Sequence, residues 1–198
     1  MNAGKMTPED VIRVIKEKLK VDPEEGILRL FGIRFCLATP NHLVVIQRTL
    51  ETIMGSSAKA PIYLAGEEAA KTVGARAAKD LVARGKFSEA EEAVEHLVTL
   101  WSAYGHGRIE IDLIDLAKGR LDFTLKNSFI AEAYGPSETP VCHFYAGFGA
   151  GLVRGLSEED VHCEELACSA MGAERCEFRI APLDHFSNLV PRVMSARH

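Results

Sequence analysis

The chain has 198 residues, a formal net charge of −5 and a hydrophobic fraction of 47%. This composition is typical of a globular domain and excludes a collagen-like or low-complexity protein, while the acidic balance argues against direct binding to nucleic acid. No apolar stretch approaches the roughly 18 residues that span a bilayer, and the N-terminus lacks the apolar core of a signal peptide. We therefore expect a soluble, cytoplasmic protein.

Apolar residues at helical spacing predict helices through most of the first half. The first is expected over 7–20, with Thr7 as its N-cap and Pro8 at its first position. Two short strands are expected within 27–38, where the chain is apolar and interrupted by a glycine. Further predicted helices cover 40–54, 60–84 and 88–104.

Local signals mark the ends of two of these helices. Gly85 follows the alanine-rich helix over 60–84 and is expected to cap its C-terminus. Ser88 and Glu91 form the pattern of a capping box, which predicts the start of the next helix.

Alternation of apolar and polar residues predicts four strands in the second half. A glycine-rich segment over 141–156 predicts a helix whose glycines allow close packing against another element or a ligand. Helices come first and mainly antiparallel strands follow, which predicts an α+β fold in which helices pack on an antiparallel sheet. The predicted strands cover 108–116, 120–128, 161–169 and 176–181.

Four of the five cysteines lie close together near the C-terminal end. Cys168 and Cys176 flank a turn that contains glycine, Glu165 lies three residues before the first of them, and Cys142 precedes the glycine-rich segment. Thiolate, imidazole and carboxylate groups are the ligands that zinc prefers. The pattern alone leaves two interpretations open, a metal site or small buried side chains on strands.

Two segments resemble the signature of the 4-vinyl reductase domain family, PVCHFYAGFGAGLVRG (140–155) and EELACSAMGAERCEF (164–178). That family comprises small-molecule-binding domains related in fold to subunits of the TRAPP vesicle-tethering complex, and it includes sensor domains of aromatic-responsive activators. The resemblance implies a domain of this type over 26–181. It would follow an N-terminal helical extension over 1–25 and precede a C-terminal tail over 182–198.

The resemblance also implies a zinc ion. Metal-bearing members hold it with a cysteine before the glycine-rich helix and with a glutamate and two cysteines of the terminal hairpin. Four protein ligands leave no open coordination position, so such a site would be structural. Cys163, His143 and His162 remain alternative ligands. The matching residues in this sequence are Cys142, Glu165, Cys168 and Cys176.

Aromatic residues cluster on the elements expected to surround a pocket, although similar spacings also occur in ordinary cores. In the family's aromatic sensors a histidine and a tryptophan contact a phenolic ligand, and the resemblance places their counterparts near Ala103 and Leu125, which lack the polar groups. We therefore expect a more apolar or differently substituted ligand, and His106 as an exposed loop residue. The expected ligand-binding residues are Trp101, Tyr104, Phe123, Phe129, Phe144 and Phe148.

Three functions follow as hypotheses. The first is a zinc-stabilised binding domain for a small hydrophobic molecule, a sensor or carrier that forms a homodimer through the alanine-rich helix over 60–84. The second is a tetrapyrrole vinyl reductase or an accessory protein of tetrapyrrole metabolism, although no nicotinamide or flavin fingerprint and no catalytic triad supports catalysis. The third is an interaction module in which Cys36 is lipid-modified or, as we favour, buried. An open cavity near Trp101 and Phe144 supports the first, and a filled one the third.

Overall fold

A computed structural model describes residues 8–157 and 159–186. The first half contains α1 (Pro8–Lys18), β1 (Leu19–Asp22), β2 (Ile27–Leu30), β3 (Ile33–Phe35), α2 (Asn41–Met54), α3 (Lys59–Ala69), α4 (Arg76–Ala83) and α5 (Ala90–Trp101). The second half contains β4 (Arg108–Asp115), β5 (Arg120–Lys126), α6 (Phe129–Tyr134), α7 (His143–Ser157), β6 (Val161–Ala167) and β7 (Cys176–Pro182).

The strands form two antiparallel sheets. β1, β2 and β3 make a small three-stranded sheet, and the larger sheet has the order β4-β5-β7-β6. α7 packs on the larger sheet and α3 packs on α7. The predicted α+β fold, an antiparallel sheet with helices packed on it, is confirmed. In the described ranges no helix combines the length and the apolar character needed to cross a membrane.

The N-terminal helix ends two residues earlier than predicted. α1 stops at Lys18 because Leu19 already pairs with β2 as the first residue of β1. The domain boundary that we expected after residue 25 falls in the turn between these two paired strands. The predicted cap Thr7 and the part of the predicted tail over 187–198 lie outside the described residues.

The alanine-rich run over 60–84 is helical almost throughout. A π-helical turn, Ala70–Ala75, joins α3 to α4 without a break. Gly85 has a φ of 64°, and its amide donates a hydrogen bond to the carbonyl of Val82. The predicted glycine cap is therefore confirmed, since this left-handed conformation favours glycine.

The capping box predicted at the start of α5 is wrong. The helix begins at Ala90, and the Ser88 amide donates to the carboxylate of Glu92 at 3.0 Å. Glu91 turns away and accepts a hydrogen bond from the amide of Leu116 at 3.3 Å. Tertiary packing therefore displaces the local pattern by one residue.

The glycines of α7 allow it to approach α3 closely. A methyl group at Gly147 would overlap the carbonyl oxygen of Tyr63, and one at Gly151 would overlap that of Glu67. The predicted close packing of the glycine-rich helix is confirmed, with α3 as its neighbour. The π-helical turn that follows α3 also packs on α7, and Ala70 within it is fully buried. The small-residue face of the run over 60–84, which we expected to mediate self-association, is thus covered within the chain.

Candidate metal site and ligand cavity

Three cysteines and a glutamate converge where the β6–β7 hairpin meets the start of α7. The sulfurs of Cys142, Cys168 and Cys176 and a carboxylate oxygen of Glu165 all lie within 4.8 Å of one another. The Sγ atoms of Cys142 and Cys176 are 3.7 Å apart. The structure therefore brings together all four residues that the resemblance implied.

The backbone around the cluster holds these side chains in place. A short 3-10 turn separates Cys168 from Cys176, and its first residue, Ser169, donates its amide to Sγ of Cys176 at 3.3 Å. The Glu165 carboxylate accepts a hydrogen bond from the amide of Cys142 at 2.9 Å. This last bond ties the start of α7 to β6.

The electrostatics of the cluster favour a bound cation. The three cysteines are between 0% and 1% exposed, and Oε1 of Glu165 is buried without a hydrogen-bond partner within the described ranges. Burial raises the pKa of the Glu165 carboxyl to about 8. Hydrogen bonds from Cys142 and Cys168 lower the pKa of Cys176 and favour a thiolate there. A cation would compensate these groups, and three thiolates with one carboxylate are a donor set that fits zinc.

The alternative ligands lie outside the cluster. Cys163 is buried, and its amide donates to the hydroxyl of Tyr63 at 3.0 Å. The His162 ring stacks on Tyr63 with the ring centroids 5.4 Å apart. Together with His143, these two residues line a separate surface depression. They are therefore not part of the metal-binding set formed by the described residues.

An apolar cavity of about 230 Å³ lies between α5, the larger sheet and α7. The Trp101 ring meets Phe148 edge-on with centroids 5.1 Å apart. Phe35 of β3 contacts Tyr104 at 5.8 Å between ring centroids, so the small sheet contributes to the wall. The lining consists of Phe35, Ala69, Val73, Val98, Trp101, Tyr104, His106, Ile109, Ile111, Leu121, Phe123, Phe144, Tyr145, Phe148, Gly149 and Leu152.

Five of the six aromatic residues expected to bind a ligand line this cavity, and one does not. Phe129 lies outside the lining, edge-on to His106 and Tyr145 at centroid distances of 5.5 and 5.7 Å. It supports the wall from behind. The five lining residues are Trp101, Tyr104, Phe123, Phe144 and Phe148.

His106 and Tyr145 are the polar pair of the lining. The Tyr145 hydroxyl donates to the backbone carbonyl of His106 at 3.0 Å and lies 3.0 Å from its Nδ1. Because the only hydroxyl hydrogen is engaged, we assign Nδ1 as the donor and Nε2 as a free acceptor. Burial lowers the pKa of His106, so the ring is neutral near pH 7. The cavity thus offers a neutral imidazole.

His106 is not the exposed loop residue that we expected, because it is half-buried in the cavity wall. Gly105 and Gly107, with φ values of 91° and 111°, bend the chain on both sides of it. This pair of flanking glycines is the sequence signal that could have identified the bend. Ala103 is exposed and Leu125 is fully buried elsewhere, so neither position lines the cavity.

The C-terminal part of the described chain matches a known family. Residues 121–182 match the family model of the 4-vinyl reductase domain. The resemblance that the sequence motifs carry is confirmed. The matched segment contains the four residues of the cluster and the cavity-lining helix α7.

Solved structures extend the likeness beyond residues 121–182. The phenol-responsive sensory domain of the transcription activator PoxR, crystallised with phenol, superposes with a TM-score of 0.74 at 20% identity, covering 95% of this chain and 94% of that chain. The fold is thus shared over nearly the whole length. No curated protein matches the sequence.

Two more distant structures complete the comparison. A vinyl-4-reductase family protein from Methanocaldococcus jannaschii has 19% identity and a TM-score of 0.47, over 91% of this chain and 97% of that chain. A trafficking protein particle complex subunit 3 from Naegleria fowleri, covalently bound to palmitic acid, has 12% identity and a TM-score of 0.44, over 71% and 94%.

Proposed function

We propose that this chain is a sensor or carrier domain that holds one small, mostly apolar molecule in the cavity beside Trp101. The cavity is the observation that carries this proposal. An engineered cavity of about 150 Å³ with an apolar lining binds benzene, so one of about 230 Å³ has room for a single substituted ring. The open cavity favours this function over a pure interaction module.

The polar pair narrows the class of ligand. Nε2 of His106 is a neutral acceptor in an otherwise apolar lining, so the cavity accepts at most one or two hydrogen-bonding groups. The PoxR domain crystallised with phenol supports a single-ring aromatic ligand. A tetrapyrrole, with four linked rings, is too large for this volume, which argues against the reductase hypothesis.

The account includes a structural zinc ion held by Cys142, Glu165, Cys168 and Cys176. Oε1 of Glu165, buried without a hydrogen-bond partner among the described residues, supports this assignment. Zinc would link α7 to the β6–β7 hairpin and contribute free energy of folding. Three ligating thiols must remain reduced, which fits a cytoplasmic location.

A sensor without its own output module acts through a partner or a second copy. We propose a homodimer, because apolar side chains are exposed on and beside the small sheet and on α2. Cys36, which we expected to be buried, is exposed beside them. Analytical ultracentrifugation tests this proposal, and a monomer at micromolar concentration would contradict it. The exposed side chains include Val21, Phe31, Ile33, Leu37, Val45 and Ile46.

Trp101 is the only tryptophan of the chain and lines the cavity, so its fluorescence reports on ligand binding. Titration with toluene and with phenol should give saturable changes in emission. Leu152→Phe fills part of the cavity and should abolish them. Leu156→Phe makes the same change one turn later on α7, outside the lining, and should leave them intact. Equal responses of the two variants would refute binding in this cavity.

A further inference from the structure

A surface depression of about 540 Å³ lies between α3 and β6, next to the metal cluster. Its lining brings together side chains of the types that ligate metals. Three of the five members of this set, Glu164 and the two histidines, lie outside the cluster described above and are not cysteines. These lining residues are His143, His162, Cys163, Glu164 and Glu165. We call this surface the β6 depression.

Glu165 belongs to both the β6 depression and the cluster. The three cysteines are almost completely buried, whereas Glu165 is half-buried. A cation that approaches from this side therefore meets the Glu165 carboxylate before it meets a thiol. Glu165 is the residue that connects solvent on this face with the sulfurs.

We propose that the β6 depression is the route by which a zinc ion enters and leaves the cluster. This inference rests on the zinc site proposed above. Imidazole and carboxylate groups of the depression would replace the ion's waters one by one, and Glu165 would pass it to the thiolates. The depression is a route and not a second resident site, because the cluster is the group of three or more ligating atoms found within the described ranges.

The wall of the depression is fixed by packing. Tyr63 stacks on His162 and accepts a hydrogen bond from the Cys163 amide at 3.0 Å. The backbone of Tyr63 in turn lies against Gly147 of α7. His162 is therefore held in place in the wall by α3, and its position does not depend on a flexible loop.

The charge of the lining also favours a cation. Glu164 and Glu165 are acidic, and Lys59 is the basic residue of the lining. Lys59 is exposed and opposes the approach of a cation. Reversal of its charge should therefore accelerate the passage of zinc without any change in the cluster.

Exchange of bound zinc against isotopically enriched zinc tests the route while the protein stays loaded. The double variant His162→Gln/Glu164→Gln keeps all four cluster residues and should exchange on the order of tenfold more slowly, the size of effect common for residues next to a metal site. Lys59→Glu should exchange about threefold faster at low salt. The matched control His42→Gln/Glu174→Gln changes exposed residues elsewhere and should exchange at the wild-type rate.

Zinc content and thermal midpoint are measured for every variant, so that the route and the site are tested separately. Equal zinc content with slower exchange in the depression variant alone supports the route. Equal zinc content and equal exchange rates would overturn it while the zinc site stands. Wild-type protein that binds no zinc would overturn the zinc site and the route with it.

Discussion

Removal of a single hydroxyl, in Tyr145→Phe, tests whether the polar pair stabilises the cavity wall. The Tyr145 side chain is buried, and its hydroxyl makes two hydrogen bonds of 3.0 Å to His106. Phenylalanine keeps the ring and leaves the carbonyl and Nδ1–H of His106 without these bonds. An unpaired buried polar group costs about 1–3 kcal/mol, so we expect a loss of about 2 kcal/mol in the free energy of unfolding.

Urea denaturation followed by Trp101 fluorescence and by far-UV circular dichroism measures this loss. For a domain of this size, about 2 kcal/mol corresponds to a fall of about 4–8 °C in Tm. Tyr104→Phe is the matched control, because Tyr104 lines the same cavity and its hydroxyl has no hydrogen bond to any described residue. The control should change the free energy by less than about 0.5 kcal/mol. Equal effects of the two substitutions would refute the role assigned to the pair.

Three further predictions concern the metal site, the helix contact and pH. Cys168→Ser should lose bound zinc and unfold at lower temperature, and a chelator should lower the Tm of the wild type in the same way; an unchanged Tm in both would contradict a structural metal. Gly147→Ala should destabilise by more than about 2 kcal/mol because its methyl group meets the Tyr63 carbonyl, whereas Gly149→Ala meets side chains that can move; a larger loss at Gly149 would contradict the packing. Burial lowers the pKa of His96, so its neutral form stabilises the fold above pH 6.5 and that contribution is lost as the pH falls below it. His96→Gln should therefore weaken the decrease in stability between pH 7.5 and 5.5, and an unchanged decrease would refute this assignment.

Regular elements could be predicted because their signals are local. The glycine cap at Gly85 depends on the conformation of one residue, and the α7 helix on periodicity within a single segment. The capping box at Ser88 failed because Glu91 finds a partner in Leu116, which is distant in the sequence. Side-chain partners of this kind depend on tertiary packing and cannot be predicted from spacing.

The two sites differ in the same way. The cluster residues lie in two short motifs, so the sequence could identify them before their sulfurs were seen to converge. The cavity draws on β3, α5, the larger sheet and α7, and its lining depends on which faces of these elements meet. Five aromatic residues could therefore be predicted, while Phe35 and the position of His106 could not.

A crystal structure with bromobenzene tests the central claim most directly, because the anomalous signal of bromine locates the ligand without ambiguity. Bromobenzene is a single substituted ring and matches the volume of the cavity. We predict one bromine site among Trp101, Phe123 and Phe148 at high occupancy. A cavity without bromine, or bromine bound only at the exposed apolar residues of the small sheet, would contradict the proposed ligand-binding function.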